Sequence, residues 1–269
     1  MTACRILDTI TVEKPWGRDS LPAPFTGTGE GRIGEIWFDP PPEMPDVLVK
    51  YLFTSEKLSV QVHPSDAQAP EGSRGKEECW LVLDAEPDAR LAVGFKQGIS
   101  PEAMRAAALD GSIEDLLEWH PVARGDFFYL SAGTVHAIGA GLSILEIQQN
   151  SDITYRLFDY GRPRELHLDE AIAVAKGEPY PDSAKRRFDF DRTSEVVGGR
   201  HFRVDIVTGP DAARQTGGTI SGPVMVLPLE GAPACDGQTI AAGQAALLSD
   251  LAGLQTRDGD TVVLASRGN

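Results

Sequence analysis

The chain has few cysteines, few basic residues and no long apolar runs, and each shortage removes a class of function. Three cysteines in 269 residues, Cys4, Cys79 and Cys235, are odd in number and widely scattered. Such spacing gives no disulfide framework and points to a reducing compartment. Lysine and arginine number 25 against 40 aspartates and glutamates, a formal net charge of -15. Nucleic acid, which recruits basic surface, therefore has no electrostatic footing as a partner. An anionic ligand would have to be met by cations placed locally. Residues 1–8 carry no apolar stretch after Arg5, and no run approaches the roughly 20 residues needed to cross a bilayer. A cytoplasmic protein with no membrane partner is expected.

What the chain does have is turn chemistry. Its 28 glycines and 19 prolines punctuate short apolar stretches, the rhythm of a β-sandwich or barrel, and its length is ample for a buried core. Strands are predicted over residues 34–38, 47–53, 58–62, 79–83, 126–130, 142–148 and 154–158, and again over 201–207, 224–229, 244–248 and 261–265. Ser100, Pro101 and Glu102 supply a cap, a first helical position and a dipole partner for one helix. A second short helix is expected from Ser112, with Ile113, Leu116 and Leu117 on one side. A third runs over 168–177 and is expected to end at Gly177. Residues 177–187, with Pro179 and Pro181, read as a linker. The division expected is a domain over 1–176 with a helical insert near 100–119, then a second β domain over 188–269 with a structural or covering role.

Several strands carry polar residues. Alternate strand residues share a face, so Gln61 and His63 point the same way. Glu78 stands at the head of the next apolar strand, and His136 follows the turn Ser131-Ala-Gly-Thr-Val135. Two nitrogens and two oxygens make a set suited to zinc or a similar divalent ion, with room left for water or substrate. Taken singly, each would serve equally well as surface decoration or a satisfied core group. Lys76, two residues before Glu78, can reach the same cavity. Glu146 lies in an otherwise apolar strand, where burial raises a carboxyl toward general acid or base duty; the alternative is an ion pair with Arg156. Arg156, sharing a face with Thr154 and Phe158, offers a forked donor array to an oxyanion, or else pairs with Asp152 or Asp159. Glu77 is expected in solvent, His120 and His167 at surface or capping positions, and Asp66 as a turn cap.

In the stretches Leu58-Ser-Val-Gln-Val-His-Pro-Ser-Asp66, Gly75-Lys-Glu-Glu-Cys-Trp80, Ala132-Gly-Thr-Val-His-Ala-Ile-Gly139 and Glu146-Ile-Gln-Gln-Asn-Ser-Asp-Ile-Thr-Tyr-Arg-Leu-Phe-Asp-Tyr-Gly-Arg162, the chain resembles the type I phosphomannose isomerases. These are zinc-dependent mannose-6-phosphate isomerases of the cupin superfamily, and the likeness is to their short bacterial form. Lys14-Pro-Trp-Gly17 and Gly34-Glu-Ile-Trp37 resemble the start of that family. The matches run in order over roughly the first two-thirds of the chain, which makes them more specific than any one motif. The resemblance implies a mainly β double cupin, two jelly-roll barrels with a small helical insertion, of which only the first holds metal. It implies that Gln61, His63, Glu78 and His136 bind one Zn2+ per chain. It also implies that Lys76, Glu146 and Arg156 line the substrate cavity as catalytic residues, and that Ser59 lies near the substrate phosphate. The activity implied is interconversion of mannose 6-phosphate and fructose 6-phosphate through a cis-enediol or enediolate, with a sugar phosphate as partner and a monomer or homodimer as the assembly. The extra helical domain of the larger eukaryotic form is lacking. Rival readings are a non-catalytic or regulatory sugar-binding cupin and another metal-dependent cupin enzyme, such as a different sugar isomerase or an oxygenase. The amide of Gln61 argues against an oxygenase, which would present histidines instead.

Overall fold

The computed structural model describes residues 4–26, 31–216 and 220–268. Its strands form where β-branched and aromatic residues run together, and their alternation sorts side chains into separate cores. A long antiparallel sheet takes the order Lys185–Arg187, Asp126–Leu130, Glu78–Ala85, Leu142–Gln149, Val47–Phe53, Ile33–Phe38, Thr9–Arg18. A shorter sheet takes the order Tyr155–Phe158, Val60–Val62, His136–Ile138, Arg90–Phe95, Leu117–Pro121. Trp80, Val82 and Leu52 from the long sheet meet Leu91, Val93 and Ile138 from the short one, filling one end of the space between them. Residues of the same parity in those strands, Glu78, Lys50, Glu146 and His136, face the same space and make its other end polar. The fold is thus mainly β, as expected.

The outer faces are covered. Val60, Val62, Ala92 and Ala137 of the short sheet pack under the helices Pro101–Asp110 and Leu168–Val174. Val49, Tyr51, Cys79 and Ile147 of the long sheet pack on a six-stranded C-terminal sheet through Val204, Ile206, Met225 and Val263. A small three-stranded sheet closes the far side of that sheet around Cys235, Ile240 and Leu254. No helix among the described residues is long and apolar enough to cross a membrane.

Several expectations are corrected. The first helix starts as its cap predicts, Ser100 Oγ accepting from the Ala103 N–H at 3.2 Å, but the second is a single turn, Ile113–Leu116, and Leu117 already begins a strand. The third helix stops at Val174, with Ala175 extended, so Gly177 is not its cap. Gly177 is required by a close approach instead: a Cβ there would stand 2.2 Å from the Ile99 carbonyl oxygen. The stretch read as a linker includes the strand Lys185–Arg187, which is paired to Asp126–Leu130. The first strand, Cys4–Ile6, pairs with Ala246–Leu248, so the start of the chain lies in the C-terminal sheet. That pairing brings Cys4 to Cys235, and the two are bonded with Cα atoms 5.8 Å apart. Three unpaired cysteines were expected because a pair 231 residues apart in sequence leaves no local spacing signal; only Cys79, buried, is free.

Candidate metal centre

The strand Val60–Val62 lies between two neighbours whose register sets Gln61 opposite His136 on one side and Arg156 on the other. Directly opposed residues of antiparallel strands share a face, so all three project into the space between the sheets. From the long sheet, Glu78 stands opposite Gln148, and Glu146 lies between Trp80 and Lys50. His63 follows its strand immediately. Its carbonyl accepts from the Gly133 N–H at 2.8 Å, which ties it to the turn leading into His136. Gly133 has φ +85°, and a Cβ there would stand 2.8 Å from the Val174 carbonyl oxygen. The left-handed conformation and the close contact both select glycine.

His63, Glu78 and His136 place ligand atoms within 4.8 Å of one another, all three residues buried. Each ring uses Nδ1–H on a backbone carbonyl, His63 on Ile153 at 2.7 Å and His136 on Thr134 at 2.9 Å. That fixes the tautomer and leaves both Nε2 lone pairs facing inward. Those Nε2 atoms lie 3.5 and 3.4 Å from the two carboxylate oxygens of Glu78. Gln61 lies beside them, its amide nitrogen 3.2 Å from His136 Nε2 and its oxygen accepting from Ser59 Oγ at 3.0 Å. A half-turn of the amide exchanges the two ends, offering the oxygen to the centre and a donor to Ser59. Lys76 completes the ring, its ammonium 2.9 Å from Glu78 Oε2 and 3.3 Å from His63 Nε2.

The charges suit a cation. Burial pushes both histidines below their ordinary value, His63 strongly and with Lys76 adding to the effect, so both rings are neutral ligands. Burial would raise Glu78, but the charge and hydrogen bond of the Lys76 ammonium are the main influence holding the carboxyl below its usual range. Both Glu78 oxygens are buried without a hydrogen bond of good geometry. Acceptors of this kind converging on inward imidazoles fit a divalent ion, and the residues that would hold it are Gln61, His63, Glu78 and His136.

Around this centre some assignments change. Glu146 does not pair with Arg156; Lys50 lies 2.8 Å from its Oε1 and the Trp80 indole N–H donates to its Oε2 at 2.8 Å. Phe158 does not share a face with Arg156, because an irregularity in the ladder between them sends Phe158 to the helix side with Val60. The side chain of Arg156 has no hydrogen bond or ion pair to any described residue, and its Nε is buried. Glu77 is half-buried rather than solvated and accepts from the Tyr129 hydroxyl. His120 packs between Phe128 and Tyr180, with centroids 5.6 and 6.2 Å away. His167 sits at the helix start, but its Nδ1 accepts from the Arg156 backbone N–H at 3.3 Å instead of capping. Asp66 holds its loop as expected, accepting from the Gly75 N–H and the Gln149 amide.

The sequence also hid a chain of charges behind Glu146. Lys50 lies 3.8 Å from Glu35, which pairs with Lys14 at 3.5 Å and accepts from the Trp37 indole. Burial alone would lower Lys50, but Glu146 and Glu35 hold it above the usual lysine value. One signal was available: Lys50 is the lone charge in Val47–Phe53, a strand buried throughout.

No protein-family model matches the chain. Over 145 residues it is 43% identical to the mannose-6-phosphate isomerase ManA of Bacillus subtilis, a match covering 51% of this chain and 46% of that protein. Over 136 residues it is 45% identical to a mannose-6-phosphate isomerase of Streptococcus mutans, covering 48% and 43% of the two chains. The match thus spans less than half the length of these relatives. In fold, the chain is similar to the crystal structure of a mannose 6-phosphate isomerase from Bacillus subtilis, with TM-score 0.76 and 24% identity over 97% of this chain and 98% of that one. A putative mannosephosphate isomerase from Archaeoglobus fulgidus superposes with TM-score 0.74 at 18% identity, covering 100% and 99%. The family resemblance carried by the motifs is borne out by these likenesses.

Proposed function

We propose that this chain is a metal-dependent aldose–ketose isomerase that interconverts mannose 6-phosphate and fructose 6-phosphate, with one zinc ion per chain. The observation that carries the reading is the buried Glu78 carboxylate facing two inward imidazole nitrogens, with Arg156, whose side chain is unpaired, across the ladder from Gln61. These residues belong to the motif stretches through which the chain resembles proteins named mannose-6-phosphate isomerase. A bound divalent ion would supply Lewis-acid polarisation of the sugar carbonyl and hold its neighbouring oxygen cis. One carboxylate, two neutral rings and a neutral amide leave the centre net positive, which suits an enediolate and gives the amide ligand a physical purpose.

The proton moves between C1 and C2, and Glu146 and Lys76 are the proton-carrying groups we assign to the cavity. Lys50 and Trp80 fix Glu146 in one orientation. Arg156 stabilises developing negative charge, and Ser59 orients Gln61 and the near part of the substrate. We assign the catalytic unit to residues 1–176, apart from the strand Cys4–Ile6 in the C-terminal sheet, and a covering role to residues 188–269, in a monomer or homodimer. A sugar-phosphate isomerase is placed in the cytoplasm. The Cys4–Cys235 bond is the feature that points the other way, since disulfides are rare in reducing compartments.

The test is coupled detection of fructose 6-phosphate from mannose 6-phosphate by zinc-loaded protein. Turnover should vanish on chelation and return with metal. Arg156→Ala should lower kcat/KM by about 10^2 or more, of the order lost with a single oxyanion-stabilising donor, while metal content is unchanged. Absence of turnover at one bound equivalent of zinc contradicts the assignment.

A further inference from the structure

Where the long sheet meets the C-terminal sheet, a cavity of about 340 Å³ opens, and none of the residues of the metal centre lines it. Its charged residues come from strand ends and turns. Asp46 precedes Val47–Phe53, Arg74 belongs to the loop between His63 and Glu78, Arg200 stands just before Phe202–Thr208, and Arg267 ends Thr261–Arg267. Phe202 pairs with Arg267, and a Cβ on Gly268 would stand 2.3 Å from the Arg200 carbonyl, so Arg200 and Arg267 leave the C-terminal sheet at one corner. Arg267 reaches across to Asp46 Oδ2 at 3.2 Å, while Arg74 holds the other oxygen of that carboxylate. Beside them, Asp66 Oδ1 accepts from the Gly75 N–H at 2.9 Å and the Gln149 amide at 3.1 Å, and His201 Nδ1 lies 3.8 Å from its Oδ2.

Three guanidiniums thus line the cavity against two carboxylates, an excess of one positive charge in a chain of net charge -15. Both carboxylates are already engaged by protein donors. The side chain of Arg200 makes no hydrogen bond or ion pair to a described residue, which leaves its fork without a protein acceptor. The cavity wall is also tied to the metal centre. Gln149, which is buried, donates to Asp66 and accepts from the Glu77 N–H at 2.9 Å, one residue before the ligand Glu78. The Lys76 N–H donates to the Pro64 carbonyl at 2.9 Å, and its ammonium reaches Glu78. The loop that carries Asp66 and Arg74 therefore leaves from one proposed metal ligand, His63, and returns at another, Glu78.

We propose that this cavity is an effector site for a small tetrahedral dianion, such as a phosphate group, bound by Arg200 together with Arg74 and Arg267, and that its occupancy tightens metal binding at the centre. The site goes beyond the isomerase reading and does not rest on it, since it needs the divalent ion and not the sugar. Forked guanidiniums match such an oxyanion, and Asp46, by holding two of them, reduces the cost of ordering long side chains when the anion arrives. The arginines are exposed, so the attraction weakens as salt is added. An anion joining Arg74 to Arg200 and Arg267 ties the loop to the C-terminal sheet and holds His63 and Glu78 in place before the metal binds. It also gives the C-terminal sheet a part in the chemistry of the first roll.

Selenate, a tetrahedral dianion whose selenium is located by anomalous diffraction, is the probe. It is soaked into crystals and titrated by calorimetry into wild type, Arg200→Gln and Arg267→Gln, and zinc affinity is measured with and without it. One selenate should lie among Arg74, Arg200 and Arg267, and both variants should bind it about tenfold or more weakly. Saturating selenate should raise the zinc affinity of wild type by about fivefold or more, and that of Arg200→Gln by less than about twofold, a difference that a purely structural role would not produce. Neither change strands a charge, because Arg200 has no partner and Asp46 keeps Arg74. Inorganic phosphate and glycerol 3-phosphate then compete for the site: displacement by phosphate alone assigns it to a free anion, displacement by both to a phosphate ester, and displacement by neither overturns the proposal. A selenate seen in crystals but not bound in solution overturns it too, as does affinity within about twofold of wild type in Arg200→Gln, or zinc affinity indifferent to selenate. Failure to turn over mannose 6-phosphate would sink the isomerase reading and leave these outcomes unchanged.

Discussion

At the scale of single residues, the centre depends on side chains kept in one protonation state by their surroundings. His63 and His136 are buried with Nδ1–H committed to carbonyls, and burial lowers both below the ordinary histidine value. In the unfolded chain the same rings take up protons as pH falls below about 6.5, so the fold loses stability in that direction. Glu78, also held low, adds to the loss at more acidic pH, because a depressed carboxyl stabilises the fold only above its unfolded value. The metal-free protein should therefore melt at least about 3 °C lower at pH 5.5 than at 7.5, roughly 1 kcal/mol for a chain of this size. Replacing both rings by glutamine should flatten that dependence. Thermal unfolding with chelator present checks it, and a midpoint indifferent to pH in wild type would contradict buried neutral imidazoles. Most of these residues were legible beforehand from strand alternation and motif order. Lys50 and Glu35 were not, because Lys50 acts by lying across a ladder from Glu146 and Glu35 by reaching Lys50 from the next strand, and a sequence does not print cross-strand register.

At the scale of elements, the site is a matter of register. Gln61, His136 and Arg156 meet because three short strands pair with them in line, and the strand Val60–Val62 is only three residues long. A strand of three residues carries weak periodicity, which is why His136–Ile138 was not predicted while Val47–Phe53 and Asp126–Leu130 were placed to the residue; Arg90–Phe95 was missed although it is longer than Asp126–Leu130. The irregularity between Arg156 and Phe158 is equally invisible in sequence and overrode the expected face of Phe158. The turn before His136 gives the clearest test at this scale. Gly133→Ala meets both a positive φ and the Val174 carbonyl 2.8 Å away, so the turn must shift. The change should cost about 1–3 kcal/mol of stability and, by moving His136 and the His63 carbonyl together, weaken metal binding by about tenfold or more. Metal titration of the purified variant checks this; wild-type affinity and stability would show that the turn does not set the ligand geometry.

At the scale of the whole molecule, the layers run from helices through the short sheet, the long sheet and the C-terminal sheet to the small sheet beyond. The first roll was legible because its motifs and strands are long and ordered. The way the C-terminal half folds onto it was not, since the pairing of Cys4–Ile6 with Ala246–Leu248 spans nearly the full chain and leaves no local signal. What these layers accomplish together is to bring four donors from separate strands and turns around one small space, three of them buried and Gln61 half-buried. Anomalous diffraction at the zinc edge from metal-soaked crystals tests that most directly. The expected result is one ion per chain at about 2.0–2.2 Å from an oxygen of Gln61, Nε2 of His63 and His136, and Glu78; a fully loaded crystal with no ion among those four side chains would contradict it.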